Sequence, residues 1–218
     1  DKISSTAEMN WLLILACIRN FRFLIDRIQK EKKWTNSDIR GYELQGKTIG
    51  IIGYGRLGKK IAKYADAFGM NVLVHDIKKI KHKKKHSFVT LSKLLEKSDI
   101  ISMNVKLNPS SSQMIGFEQV NKMKRGVIFV NTARGDTVSS RALIKGLNSG
   151  KIGSIGIDVC NNEYSSSYLP NDPLITKSFT DKRIVVTPHA GGATHDAHDQ
   201  VFKKLSDLVK KHISNNKI

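Results

Sequence analysis

The segment Gly53-Tyr54-Gly55-Arg56-Leu57-Gly58 constrains the fold more than any other. It follows the apolar run Thr48-Ile49-Gly50-Ile51-Ile52 and opens onto Lys59-Lys60-Ile61-Ala62, which reads as the start of a helix. A second apolar run, Val72-Leu73-Val74-His75, ends in Asp76, about 20 residues beyond the glycines. Strand, glycine turn, helix, strand and acid in this order are the parts of a βαβ unit that holds a dinucleotide. Gly53 permits the tight turn, Gly55 lets backbone approach a pyrophosphate, and Gly58 lets the helix pack closely on its strand. The helix N-terminus offers unpaired N–H groups and the positive end of its dipole to phosphates. Asp76 would accept hydrogen bonds from the adenosine ribose hydroxyls. An acid there would repel a 2′-phosphate, so the pattern favours NAD over NADP. Lys78 or Lys79, in the basic run that follows, could meet such a phosphate, but a solvated loop is the simpler reading of that run.

The rest of the chain repeats the alternation. Strands are expected at 48–52, 71–75, 99–103, 127–131, 154–158 and 183–187, and helices at 56–68, 91–97, 117–123, 139–148 and 195–214. This order predicts an α/β fold, a Rossmann-type doubly wound parallel sheet with helices on both faces. Right-handed crossovers then bring every strand's C-terminal end to one edge, where ligands bind. Ahead of the first strand, Ser5 or Thr6 can cap a long helix reaching about Lys30, with Trp11, Leu12, Leu15, Ile18, Leu24, Ile25 and Ile28 as a buried face. A polar linker from Glu31 to Gln45 connects it to the sheet.

Composition narrows the function classes. The net charge of +18 is strongly basic, but lysines are scattered and no zinc-finger spacing or RNA-binding aromatic signature accompanies them. A solvated Lys-rich surface, without a specific nucleic-acid partner, is the reading. Two cysteines, Cys17 and Cys160, make no disulfide framework and fit a reducing cytoplasm. Cys17 lies in an apolar helical run and reads as core. The longest apolar run, Trp11 to Ile18, is far too short to span a bilayer. The chain opens on Asp1, almost directly in a helix, which suggests a piece of a longer protein.

Three segments fall at expected strand ends, on the ligand edge: Asn131-Thr132-Ala133-Arg134-Gly135, then Ile157-Asp158-Val159 with Glu163, then Thr187-Pro188-His189-Ala190-Gly191-Gly192. Together they supply an arginine, a glutamate and a histidine. Arginine holds a carboxylate through two hydrogen bonds. Histidine titrates near neutrality and can move a proton to or from an oxygen. A carboxylate on the other ring nitrogen orients the imidazole. Taken singly, each of the three is more often a surface or loop residue. His195 and His198, three apart on the last helix, lack the further ligands of a metal site, so no metal is expected. A thiol nucleophile built from Cys160 and His189 has no activating context.

These segments, in this order, resemble the D-isomer-specific 2-hydroxyacid dehydrogenases. Thr6-Ala7-Glu8 and the apolar helix after it look like that family's interdomain helix. Gly46-Lys47-Thr48-Ile49-Gly50-Ile51 is similar to its nucleotide strand. The resemblance implies an NAD-dependent oxidoreductase that moves a hydride between nicotinamide C4 and C2 of a D-2-hydroxy acid or 2-keto acid. It carries the catalytic roles onto Arg134, Glu163 and His189. His189 takes the hydroxyl proton in oxidation, Glu163 holds His189, and Arg134 binds the substrate carboxylate. Cofactor contacts fall on Gly53, Gly55, Arg56, Leu57, Gly58, Asp76 and Val105. At the nicotinamide end they fall on Thr132, Ala133, Arg134, Asp158, His189, Ala190, Gly191 and Gly192, with Asp158 accepting from the carboxamide.

The chain also departs from the pattern. Asn104-Val105-Lys106 stands where the family has His-Val-Pro, and Tyr164 stands where a proline commonly follows the glutamate. An N-terminal substrate domain would precede residue 6. Residues 1–190 then form the NAD-binding domain, and 191–218 a helix returning toward the substrate domain. A homodimer is the family-level expectation. A second reading is a non-catalytic, NAD-sensing interaction protein of the corepressor kind on the same fold.

Overall fold

A computed structural model describes residues 4–78, 85–163 and 171–215. Lys79 and Tyr164 lie outside the described residues. Seven strands form one sheet: β1 Thr48–Ile52, β2 Asn71–His75, β3 Ser87–Phe88, β4 Ile100–Met103, β5 Val127–Asn131, β6 Ile152–Ile157 and β7 Ile184–Val186. Their order across the sheet is β3-β2-β1-β4-β5-β6-β7, and every pairing is parallel. The order reverses between β1 and β4, so the crevice for a ligand opens there, beyond the strand C-termini. The expected Rossmann-type doubly wound sheet is therefore present.

The strands read as unbroken apolar runs because both faces are covered. Successive side chains alternate between two cores. Ile49, Ile51, Ile100, Ile128 and Val130 pack with Leu13 and Ile14 of α1 (Ser5–Ile18) and Ile61 of α3 (Arg56–Ala67). Ile52, Ile101, Met103 and Phe129 pack on the opposite face with Leu94 of α4 (Leu91–Lys97) and Leu143 of α6 (Ser140–Asn148). Between α4 and α6 lies α5 (Phe117–Lys122). Cys17 is buried on the α1 side, as expected.

Four expectations need correction. The first helix is two: α1 ends at Ile18 and α2 spans Phe21–Gln29. Asn20 sits between them in the left-handed region, φ 52°, and its side-chain amide donates to Arg40 O at 2.8 Å. Asparagine adopts that conformation more readily than most residues, and the long-range bond fixes the chain's turn there. The cap is Ser4, whose hydroxyl donates to Glu8 at 2.7 Å, not Ser5 or Thr6. Leu12, Ile25 and Ile28 are exposed, so the buried face is narrower than expected. Strand β3 and helix α7 (Pro173–Ser178) were not anticipated; Asp172 caps α7, accepting from Leu174 N at 2.7 Å, with Pro173 opening the helix. The last helix, α8, spans His195–Asn215.

Candidate active site

The glycine loop is built as its spacing requires. Gly53 leaves β1 at φ +91°, and a Cβ there would stand 2.6 Å from Asn104 O. A Cβ on Gly58 would overlap the Gly53 carbonyl oxygen, so helix and strand meet at bare backbone. Gly55 caps α3 with open space around it, which leaves the helix N-terminus accessible. Asp76 follows β2, but its carboxylate already works within the protein. Oδ2 accepts from Tyr54 N at 2.6 Å and Oδ1 from Lys78 N at 2.8 Å. A carboxylate has about four lone-pair sites, so two remain for ribose hydroxyls.

Sequence reading missed what braces this loop from behind. The Tyr54 hydroxyl meets His86 Nδ1 at 2.6 Å, and His86 Nε2 lies 3.2 Å from Asp66 on α3. Burial, and then the Asp66 charge, raise the Tyr54 phenol above its ordinary range, so it stays protonated. Tyrosine inside a glycine loop, with a histidine after the next strand, was the available signal.

A cleft of about 330 Å³ runs from the glycine loop to the end of β5. Arg56, Lys60, Lys106 and Arg134 line it, together with Ser4, Thr6, Leu57, Val105, Thr132 and Ala133, and no carboxylate does among the described residues. Four cations on the wall of one cleft favour an anionic ligand. With the α3 N-terminus and Asp76 at one end, these residues fit a dinucleotide.

The three candidates for acid–base chemistry lie on the strand-end edge, Glu163 and His189 in contact and Arg134 on the cation-lined cleft. Glu163, beyond β6, places Oε1 2.9 Å from Nδ1 of His189, beyond β7. The Glu163 side chain is 13% exposed and His189 37%, so the carboxylate is sheltered and the imidazole reaches solvent. Glu163 Oε2 also accepts from Cys160 N at 3.4 Å. Arg134 stands exposed beyond β5, its backbone oxygen held by Asn131 Nδ2 at 3.0 Å and by the Thr137 hydroxyl at 2.7 Å. That hold extends into the single 3₁₀ turn at Gly135–Thr137.

Asp158, at the end of β6, also holds the neighbouring loop. It is 2% exposed, and its carboxylate is mostly engaged inside the protein. Oδ1 accepts from the Thr187 hydroxyl at 2.5 Å and Ala190 N at 2.8 Å, and Oδ2 from Gly191 N at 2.8 Å. Its backbone oxygen accepts from His189 N at 2.9 Å. Asp158 therefore fixes the histidine loop, including His189 itself at φ 52°. The need for Gly191 is likewise internal: a Cβ there would stand 2.7 Å from Asp158 Oδ2. Gly192 has open space around it.

The Cys160 thiol lines a separate, largely apolar cavity of about 780 Å³ that reaches His189 from the α2 and α7 side. Burial pushes the thiol up to about 11, with Asp172, Glu163 and Asp136 adding to the rise. Burial pushes Cys17 up to about 12. Neither is a thiolate near neutrality, which removes the nucleophile reading. Iodoacetamide at pH 7.5 is expected to leave both unmodified in the folded chain and to label both in urea, as intact mass will report. Rapid labelling of Cys160 without denaturant would contradict this.

His195 and His198 are exposed at the start of α8, and no group of three or more His, Cys, Asp or Glu that could hold a metal occurs among the described residues. No helix among the described residues is long and apolar enough to cross a membrane.

Comparison with known proteins bears on this arrangement directly. Residues 11–191 match the model of the D-isomer specific 2-hydroxyacid dehydrogenase family, NAD binding domain. Hydroxypyruvate reductase of Thermotoga maritima is 38% identical over 96% of this chain and 66% of its own length. Glyoxylate reductase of Korarchaeum cryptofilum is 35% identical over 93% of the chain and 61% of its own length. The structure of D-lactate dehydrogenase from Aquifex aeolicus, solved with NAD and lactic acid, superposes with a TM-score of 0.87 at 30% identity, covering 97% of this chain and 67% of that one. The chain thus spans about three-fifths to two-thirds of the length of these relatives. With the family model matching most of its length, this chain belongs to the D-isomer specific 2-hydroxyacid dehydrogenases, as their NAD binding domain.

Proposed function

We propose that this chain binds NAD and serves hydride transfer between nicotinamide C4 and C2 of a D-2-hydroxy acid or the matching 2-keto acid. The contact between His189 Nδ1 and Glu163 Oε1 at 2.9 Å carries the reading. With Nδ1 against the carboxylate, Nε2 is the ring nitrogen that would take the hydroxyl proton during oxidation and return it during reduction. Arg134, on the neighbouring strand end, binds the substrate carboxylate through paired hydrogen bonds. The bound cofactor supplies the hydride acceptor or donor. Arg56 and Leu57 would hold its diphosphate, Asp76 the adenosine ribose, and Thr132, Ala133, Ala190 and Gly191 the nicotinamide end. Asp158 keeps one lone pair for the carboxamide while holding the loop.

The chain to about residue 190 is the NAD-binding domain, and α8 leads on toward a substrate domain. The exposed Val201, Phe202, Leu205, Leu208, Val209 and Ile213 on α8 support such a partner surface. Closure of that domain would exclude water and complete the substrate contacts. A homodimer in the cytoplasm, with no nucleic-acid partner, completes the proposal. The relatives named above are reductases and dehydrogenases, and nothing particular to this chain favours the NAD-sensing corepressor reading over them.

Calorimetric titration tests the cofactor assignment. NADH is expected to bind saturably and more tightly than NADPH. Asp76→Ala should weaken NADH about tenfold, a charge-assisted hydrogen-bond loss, and narrow the gap to NADPH. Equal affinity of the unaltered chain for the two cofactors would refute the role given to Asp76.

A further inference from the structure

The one side chain between the first two glycines of the loop is held from behind, by groups that do not line the cation-bearing cleft. Tyr54 stands between Gly53 and Gly55 and is buried. Its hydroxyl lies 2.6 Å from Nδ1 of His86, the residue before β3. Its ring meets those of His86 and Phe88 edge-on, with centroids 5.9 and 5.4 Å away. His86 Nε2 lies 3.2 Å from each carboxylate oxygen of Asp66, near the end of α3, and Lys85 Nζ lies 2.9 Å from Asp66 Oδ2. These contacts tie the loop both to the far end of its helix and to the edge strand of the sheet.

The hydrogens along this line are all used. Burial alone would raise the Asp66 carboxyl, but the hydrogen bonds from Lys85 and His86 outweigh it and hold the group below its ordinary range. Asp66 is therefore ionised near neutrality and only accepts, so His86 Nε2 carries a hydrogen. In the neutral ring Nδ1 is then the acceptor, and the Tyr54 hydroxyl donates to it. In the protonated ring Nδ1 donates to the phenol oxygen instead, so the contact survives in either charge state.

The same residue fixes the acid of the nucleotide site. Tyr54 N donates to Asp76 Oδ2 at 2.6 Å, and Lys78 N holds Oδ1 at 2.8 Å. Glycine leaves backbone freer than any other residue, and Gly53 at φ +91° and Gly55 in open space flank Tyr54 on both sides. The anchored ring supplies the restraint that the glycines do not. A carboxylate held in place accepts from a ribose 2′-hydroxyl and opposes a 2′-phosphate by like charge. A carboxylate free to turn does both less well.

We infer, on the nucleotide reading above, that Tyr54 and His86, anchored by Asp66, are positioning residues that hold the Asp76 carboxylate and thereby set the preference for NADH over NADPH.

The test is calorimetric titration of this chain and its variants with both cofactors. Tyr54→Phe keeps the ring contacts and removes only the hydroxyl. It should weaken NADH about 3–10-fold and NADPH by less than about twofold, so that the preference narrows. In an Asp76→Ala background the same substitution should change NADH by less than about twofold, because the hydroxyl acts through that carboxylate. General loosening would cost the same factor in both backgrounds and for both cofactors. His86→Leu should match Tyr54→Phe, and the two together should weaken NADH no more than either alone. Should His86→Leu fold poorly, judged by its urea midpoint, Tyr54→Phe in the two backgrounds decides alone. The inference is overturned if Tyr54→Phe leaves the ratio of NADH to NADPH affinity unchanged, or if it costs the same factor with and without Asp76. Failure of the unaltered chain to bind NADH would overturn the nucleotide reading itself, and the positioning role with it.

Discussion

Replacing His189 by asparagine is expected to lower kcat about 10²–10⁴-fold while leaving NADH affinity nearly unchanged. Asparagine is the informative substitution for two structural reasons. His189 sits at φ 52°, in the left-handed region that asparagine adopts more readily than most residues, so the loop keeps its path. The asparagine amide can also keep a hydrogen bond toward Glu163, which now approaches Nδ1 at 2.9 Å. What it cannot do is take or return a proton near neutrality. The loss should therefore fall on the chemical step and appear in kcat, measured on the full-length protein with saturating NADH and a panel of 2-keto acids. Glu163→Gln should give a smaller fall, because a neutral amide still orients the ring but no longer stabilises an imidazolium. The two effects should be less than additive in the double variant, since both act through one imidazole. Undiminished turnover by His189→Asn would remove the residue from the mechanism.

How much of this was legible in the sequence depends on how local each constraint is. The glycine loop was readable because each glycine answers a requirement set within the βαβ unit: a turn at Gly53 and a close helix–strand contact at Gly58. The strands were readable because a sheet covered on both faces imposes continuous apolar runs. Arg134, Glu163 and His189 could be placed at one edge from parallel topology alone. What stayed hidden was set by long-range contact. The break between α1 and α2 depends on Asn20 finding Arg40 O. The buried hydrogen bond from the Asn10 amide to the Thr132 hydroxyl joins residues 122 apart in sequence, and neither residue type announces it. Helix α7 is a different case, since Asp172-Pro173 is a cap followed by the residue best suited to a first helical turn. That signal was present and went unused in a segment rich in serine and asparagine.

Asp158 shows most sharply how a correct location can carry an incomplete role. Its position at the end of β6 suggested a contact to nicotinamide, yet three donors of the histidine loop converge on its carboxylate. Asp158→Ala is expected to cost about 2–4 kcal/mol, because it strands the buried Gly191 N–H and the part-buried Ala190 N–H and leaves the Thr187 hydroxyl only the weak acceptor Met9 Sδ at 3.7 Å. Asp158→Asn should recover only part of this. An asparagine oxygen can serve one side of the group, but its NH₂ would then oppose either the Gly191 N–H or the donors from Thr187 and Ala190. Both variants should lower the urea midpoint without any cofactor present, and hydrogen exchange at the Ala190 and Gly191 amides should quicken. Activity should fall as well, since the backbone that holds His189 against Glu163 is the same backbone that Asp158 secures. A stability change under about 1 kcal/mol in the cofactor-free chain, with the loss appearing only as weakened NADH, would return Asp158 to a purely cofactor-binding role.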